Sequence, residues 1–165
     1  MEALTSKAQG EWKEMRVISE LLRRGLEVYR TCCDDVGIDC VICHRPEGHP
    51  PVYVDVQVKG YNGYQSVVGL YPEKVRAQAD RYVVIVVFFF PLADASKHQA
   101  DEFYALSKTD VLGLGKPPQS SDWGDLLLNK PQRQAYAHQD LDHLTRWIKG
   151  GCILEEWGAA NRPLG

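Results

Sequence analysis

The nine residues from Tyr82 to Phe90, YVVIVVFFF, constrain this chain more than any other segment. They are apolar without interruption, rich in β-branched and aromatic side chains, and closed by Pro91. The run is far short of the ~20 residues that cross a bilayer. Its composition predicts a strand in the middle of a sheet, covered on both faces.

Around that strand the pattern alternates. Gly10 to Arg24 predicts a helix stopped by Gly25. Strands are expected over Leu26–Thr31, Ile38–His44 and Val52–Lys59, with a proline-rich loop from Arg45 to Pro51. Gly60 to Gly69 predicts a turn, and Pro72 to Asp80 a helix opened by its proline. Glu102 to Leu106 predicts a short strand, with Ser107 capping a brief helix. Leu112 to Asp122 reads as a long loop and Gln139 to Lys149 as a last amphipathic helix, with Leu141, Leu144, Trp147 and Ile148 on one side. The order predicts a mixed α/β fold. At 165 residues the chain is expected to be one domain, 1–165, able to bury a core without staples.

Charge and cysteine content narrow the function. Nineteen Lys and Arg against 22 Asp and Glu give a net charge of −3. A strongly basic nucleic-acid wrapper is excluded, while a local basic groove is not. The five cysteines are odd in number, and MEALTSKAQ is no secretory start. A reduced, cytoplasmic chain without membrane attachment is expected.

Two acids stand where acids are disfavoured. On a helical wheel, Met15, Val17, Ile18, Leu21 and Leu22 form an apolar stripe with Glu14 near its middle, and Lys13 and Glu20 read as lying on the wet face. Glu11 falls in the stripe too, in the expected first turn. An unpaired carboxylate at a packed position costs several kcal/mol, against roughly 1.5–3 kcal/mol gained per buried apolar side chain. Asp39 enters an apolar strand just after Gly37, although Asp is depleted in strands.

Val52 to Lys59 alternates throughout, so its valines share one face and Tyr53, Asp55, Gln57 and Lys59 the other. That polar face is solvated in the simplest reading. Antiparallel pairing of the two strands would instead set Asp39 beside Gln57 and Lys59. Two carboxylates and an amide oxygen suit a hard divalent cation such as Mg²⁺. Lys59 cannot bind metal while protonated, but it can hold the attacking water and stabilise a phosphorane-like charge.

At these residues the sequence resembles the PD-(D/E)XK nuclease superfamily, with its restriction-endonuclease-like fold. The helix acid is Glu14, spaced from Gly25 as in the small Holliday-junction-resolvase-like members. The strand acid follows in Gly37-Ile38-Asp39, and the last element is Gln57-Val58-Lys59-Gly60. The match spans about the first 60 residues. Two positions depart from the pattern: Ile38 replaces the proline, and Gln57 replaces the acid.

The resemblance implies a mixed central sheet flanked by helices. It implies Mg²⁺, replaceable by Mn²⁺, held by Asp39, Gln57 and the carbonyl of Val58, with Glu14 completing the site. Lys59 would position the water that attacks a DNA phosphodiester. Gln57 leaves one charge fewer on the metal, which Asp55 partly offsets. The alternative is a nuclease-fold domain without catalysis, binding DNA or protein. The acidic balance disfavours tight unaided DNA binding, so a homodimer or a partner protein is expected to supply further DNA surface.

Other signals are weaker. Cys40-Val41-Ile42-Cys43-His44 matches a haem-attachment pattern, but in a strand its cysteines diverge, and no haem is expected. Cys32, Cys33, Cys40 and Cys43 lack zinc-knuckle geometry and read as small hydrophobes. His138, Asp142 and His143 read as solvated or capping groups.

Overall fold

The structure is a computed structural model that describes residues 6–32, 37–63, 67–90, 100–114 and 125–150. The main sheet holds β1 (Glu27–Arg30), β2 (Cys40–His44), β3 (Val52–Asn62), β5 (Tyr82–Phe89) and β6 (Glu102–Ser107), in the order β1-β2-β3-β5-β6. A second sheet pairs β4 (Val67–Gly69) with β7 (Asp125–Leu127). The helices are α1 (Ser6–Arg23), α2 (Pro72–Ala77), α3 (Lys108–Gly113), α4 (Lys130–Ala135) and α5 (Leu141–Lys149). β3 and β5 are parallel, while the other neighbours in the main sheet are antiparallel. A parallel pair needs a crossover, and here it carries β4 and α2.

The apolar run lies inside the sheet as its composition requires. Val83 to Phe88 have no exposed surface. Val83, Ile85 and Val87 face one core with Val17, Ile18 and Leu21 of α1 and Leu141, Leu144 and Ile148 of α5. Val84, Val86 and Phe88 face the other, with Val75 of α2 and Val111 of α3. Burying such side chains stabilises by roughly 1.5–3 kcal/mol each.

Local chemistry sets the helix ends. Gly25 has φ +73°, and Leu26 N–H reaches back to the Leu21 carbonyl while Gly25 N–H reaches that of Leu22. This closes α1 with a Schellman stop and binds Leu26 to the helix, so β1 starts one residue later than expected. Ser107 and Asp110 form a reciprocal capping box on α3.

Several expectations need correction. α1 starts at Ser6, so Glu11 lies beyond its first turn. Met15 and Leu22 are about half exposed, whereas Glu20 is buried. Lys13 and Glu20 stand four residues before and three after Val17, so both flank the buried line instead of facing away. β3 runs to Asn62 because β5 continues to pair with it, Gly60 against Val87 and Asn62 against Phe89. The expected loop gives its first residues to α3, and residues 115–124 lie outside the described ones. β4, β7 and α4 had no counterpart in the sequence reading. Cys40 and Cys43 are buried and free, and Cys32 is exposed and free. Cys33 and Cys152 fall outside the described residues.

Candidate active site

The β2–β3 ladder sets Cys40 opposite Val56. Just before β2 begins, Asp39 N–H donates to the Val56 carbonyl at 2.9 Å. The Asp39 carboxylate accepts from Val58 N–H at 2.5 Å. It therefore takes the place of a main-chain acceptor where regular pairing stops. Ladder N–H groups lie in the plane of the sheet, which puts this acid at the end of the ladder rather than on the face of Gln57. From there it can meet a group arriving from the α1 side.

That group is Glu14. Val54, Val56 and Val58 face α1, and α1 carries Glu14 over the end of the ladder. Two adjoining clefts share Gly10, Glu14 and Asp39. One, of about 390 Å³, runs towards Arg30, Thr31 and Cys32. The other, of about 240 Å³, runs along Val58, Lys59 and Gly60. The Cys40 thiol beneath is pushed up to about 12, by burial first and then by the charges of Asp39 and Glu14. Cys40 is thus a packed thiol, not a nucleophile.

Glu14, Asp39, Val58 and Lys59 thus line one cleft, and Gln57 does not. Its side-chain oxygen accepts from the Tyr82 hydroxyl at 2.7 Å. Burial, followed by the charges of Asp39 and Asp55, pushes the Tyr82 phenol well up, so it stays a donor. The Gln57 nitrogen lies beside Gly37, where an added Cβ would sit 2.9 Å away. With φ +72° at the same residue, the turn into Asp39 favours glycine. Asp55 lines neither cleft, and burial alone raises its carboxyl. The polar face of β3 is half-buried between Tyr53 and Gly60, not solvated along its length.

Among the described residues no three His, Cys, Asp or Glu side chains form a metal cage. Two carboxylates lining one cleft still fit Mg²⁺, which keeps several waters and needs one or two carboxylates. At the far end of α5, Asp140 caps the helix through His143 N–H, and Asp142 pairs with Arg24 at 2.6 Å.

Lys13 and Tyr82 escaped the sequence reading, and Arg30 entered it only as one of the cations that could line a local basic groove. Lys13 donates to the Gly60 carbonyl at 2.8 Å; its place one turn before Val17 was the available signal. Arg30 lies 3.6 Å from Glu14, because β1 sets it opposite Cys40. Tyr82 gave no signal beyond opening an apolar run.

The Lys13 stem crosses Gly60 so closely that a Cβ there would sit 2.5–2.9 Å from its Cβ, Cγ and Cδ. Gly60→Ala is expected to push α1 off the ladder and cost about 1–3 kcal/mol, read by urea unfolding. Unchanged stability would show that Lys13 moves aside freely.

No protein-family model matches the sequence, and no curated protein matches it. Solved structures do. A Holliday junction resolvase of the archaeon Archaeoglobus fulgidus superposes with a TM-score of 0.51 at 13% identity, covering 88% of this chain and 98% of the resolvase. A bacterial homing endonuclease superposes with a TM-score of 0.51 at 19% identity, covering 96% of each chain. The fold is restriction-endonuclease-like. In this restriction-endonuclease-like chain, the mixed five-stranded sheet flanked by helices is the architecture that the early motif implied.

Proposed function

We propose that this protein is a metal-dependent endonuclease hydrolysing DNA phosphodiester bonds, with residues 1–165 acting as one nuclease domain. The observation that carries the reading is the cleft shared by Glu14, Asp39, Val58 and Lys59. The fold supports it, since two of the structural neighbours are a junction resolvase and a homing endonuclease by name.

In this reading Asp39, Glu14 and the Val58 carbonyl hold Mg²⁺, or Mn²⁺ in its place. Gln57 lies outside the cleft lining, with its oxygen held by Tyr82. When bound, the cation supplies Lewis acidity and neutralises charge on the phosphoryl oxygens. Lys59 donates hydrogen bonds from Nζ, orienting the attacking water and stabilising charge that develops at phosphorus. Asp39 is itself held by Val58 N–H, which fixes its carboxylate before substrate arrives. With a net charge of −3, the chain is expected to act as a dimer or beside a partner that adds DNA surface. No described helix is long and apolar enough to cross a membrane.

Lys59→Ala is expected to lower Mg²⁺-dependent DNA cleavage at least ~10²-fold while Mn²⁺ binding persists. Cleavage that survives this change would remove Lys59 from the reaction. One observation favours a second reading, a DNA- or protein-binding module without catalysis: the Gln57 oxygen is already engaged by Tyr82. A wild-type protein that binds DNA but neither Mg²⁺ nor Mn²⁺ would decide for it.

A further inference from the structure

We propose that Arg30 is a phosphate-binding residue held in reserve by Glu14. It pairs with Glu14, and a cation bound by that carboxylate would release it to a DNA phosphate. The proposal rests on the nuclease reading of Glu14 and Asp39.

The backbone places Arg30 at the cleft. β1 sets it opposite Cys40, the first residue of β2. The next residue is fastened to the chain bearing the strand acid: Thr31 N–H donates to the Asp39 carbonyl at 3.2 Å, and the Thr31 hydroxyl to the Ile38 carbonyl at 2.5 Å. Val28, two residues earlier, packs in the core beneath α1. Alternation therefore turns Arg30 to the α1 side as well, and its guanidinium reaches Glu14 at 3.6 Å. Arg30, Glu14 and Asp39 all line the larger cleft.

The chemistry of the pair suits an exchange. The Arg30 and Glu14 side chains keep 49% and 25% of their surface exposed, and such pairs are weak. A divalent cation held by Glu14 and Asp39 would repel a guanidinium at this range and would take over its partner. The freed guanidinium, tethered by β1 at the cleft wall, is planar and always charged, which suits a phosphodiester oxygen pair.

Competition predicts opposite signs. Arg30→Ala should bind Mn²⁺ roughly two- to five-fold more tightly by calorimetry, because the guanidinium that pairs with Glu14 is removed. The same variant should bind DNA more weakly in the presence of Ca²⁺, with the slope of log affinity against log salt reduced by about one phosphate contact. Arg30→Lys should restore that slope while recovering only part of the affinity, since Lys cannot bind bidentately.

A role in stability alone would lower the melting temperature and leave both readouts unmoved, overturning the proposal. So would weaker Mn²⁺ binding by Arg30→Ala, or an unchanged salt slope. Asp39→Asn, measured in parallel, separates the levels. If it leaves wild-type Mn²⁺ binding intact, the nuclease reading falls and this proposal with it. If it abolishes binding while Arg30→Ala shows neither effect, only the Arg30 exchange is refuted.

Discussion

Asp39→Asn is expected to abolish measurable Mn²⁺ binding and to lower DNA cleavage by about 10²–10³-fold, with little change in melting temperature. The physical reason lies in the two duties of this carboxylate. It accepts from Val58 N–H at the end of the β2–β3 ladder, and in the proposed mechanism it supplies charge to the cation. The Asn amide oxygen can still accept from Val58, so the structural duty survives while the charge is lost. Asp39→Ala removes both, leaving the Val58 donor without this acceptor at a further cost of about 1–3 kcal/mol. The contrast tests the argument: equal loss of stability in both variants would mean that the Val58 bond does not secure the ladder. Cleavage surviving in Asp39→Asn would exclude it as the acid that carries the chemistry.

Glu20→Gln is expected to destabilise the protein by about 2–4 kcal/mol near pH 7, since a buried acid among paired cations is hard to replace. At this chain length that lowers the melting temperature by roughly 5–15 °C. Glu20 is buried on α1, with Arg16 at 2.7 Å, Arg23 at 2.9 Å and Arg24 at 2.7 Å. Burial raises its carboxyl, but the hydrogen bond from Arg24 and the charges of Arg16, Arg23 and Arg24 outweigh it, so the net direction is down from 4.5. A lowered carboxyl stabilises the fold above its unfolded value and ceases to do so as pH falls through the folded one. The gap between wild type and Glu20→Gln should therefore be full at pH 7 and shrink on acidification below about 4.5. Urea unfolding at pH 7 and at about pH 3 measures both gaps. A gap that does not change between them would mean that the charge of Glu20 is not what stabilises α1.

Much of the fold was legible because its signals are local. An unbroken β-branched and aromatic run has to be covered on both faces, and β5 is. Gly25 and Ser107 ended and began helices through main-chain geometry that needs only their neighbours. The elements that escaped have no such local cause. β4 and β7 are three residues each and owe their form to each other across more than fifty residues of chain. β3 continues past Gly60 because β5 offers partners there.

The candidate site divides in the same way. Glu14 and Asp39 were visible because an acid on an apolar stripe and an acid entering a strand are each disfavoured where they stand. Lys13 and Glu20 were assigned to the wrong face of α1. The wheel gives angles between side chains, but the direction of the core is set by how α1 docks on β3. Gln57 was expected among the ligands; its link to Tyr82 depends on the parallel register that brings Asp55 level with Tyr82.

By itself, then, the order of residues determined the main helix and strand segments and marked Glu14 and Asp39 as acids out of place, since those preferences act over a few neighbours. Only the tertiary structure decided that Asp39 leaves its strand face to bind Val58 N–H, and that α1 brings Glu14 over the same cleft. Such meetings depend on strand register and helix docking. Those are fixed by the packing of the whole sheet rather than by any one stretch of chain.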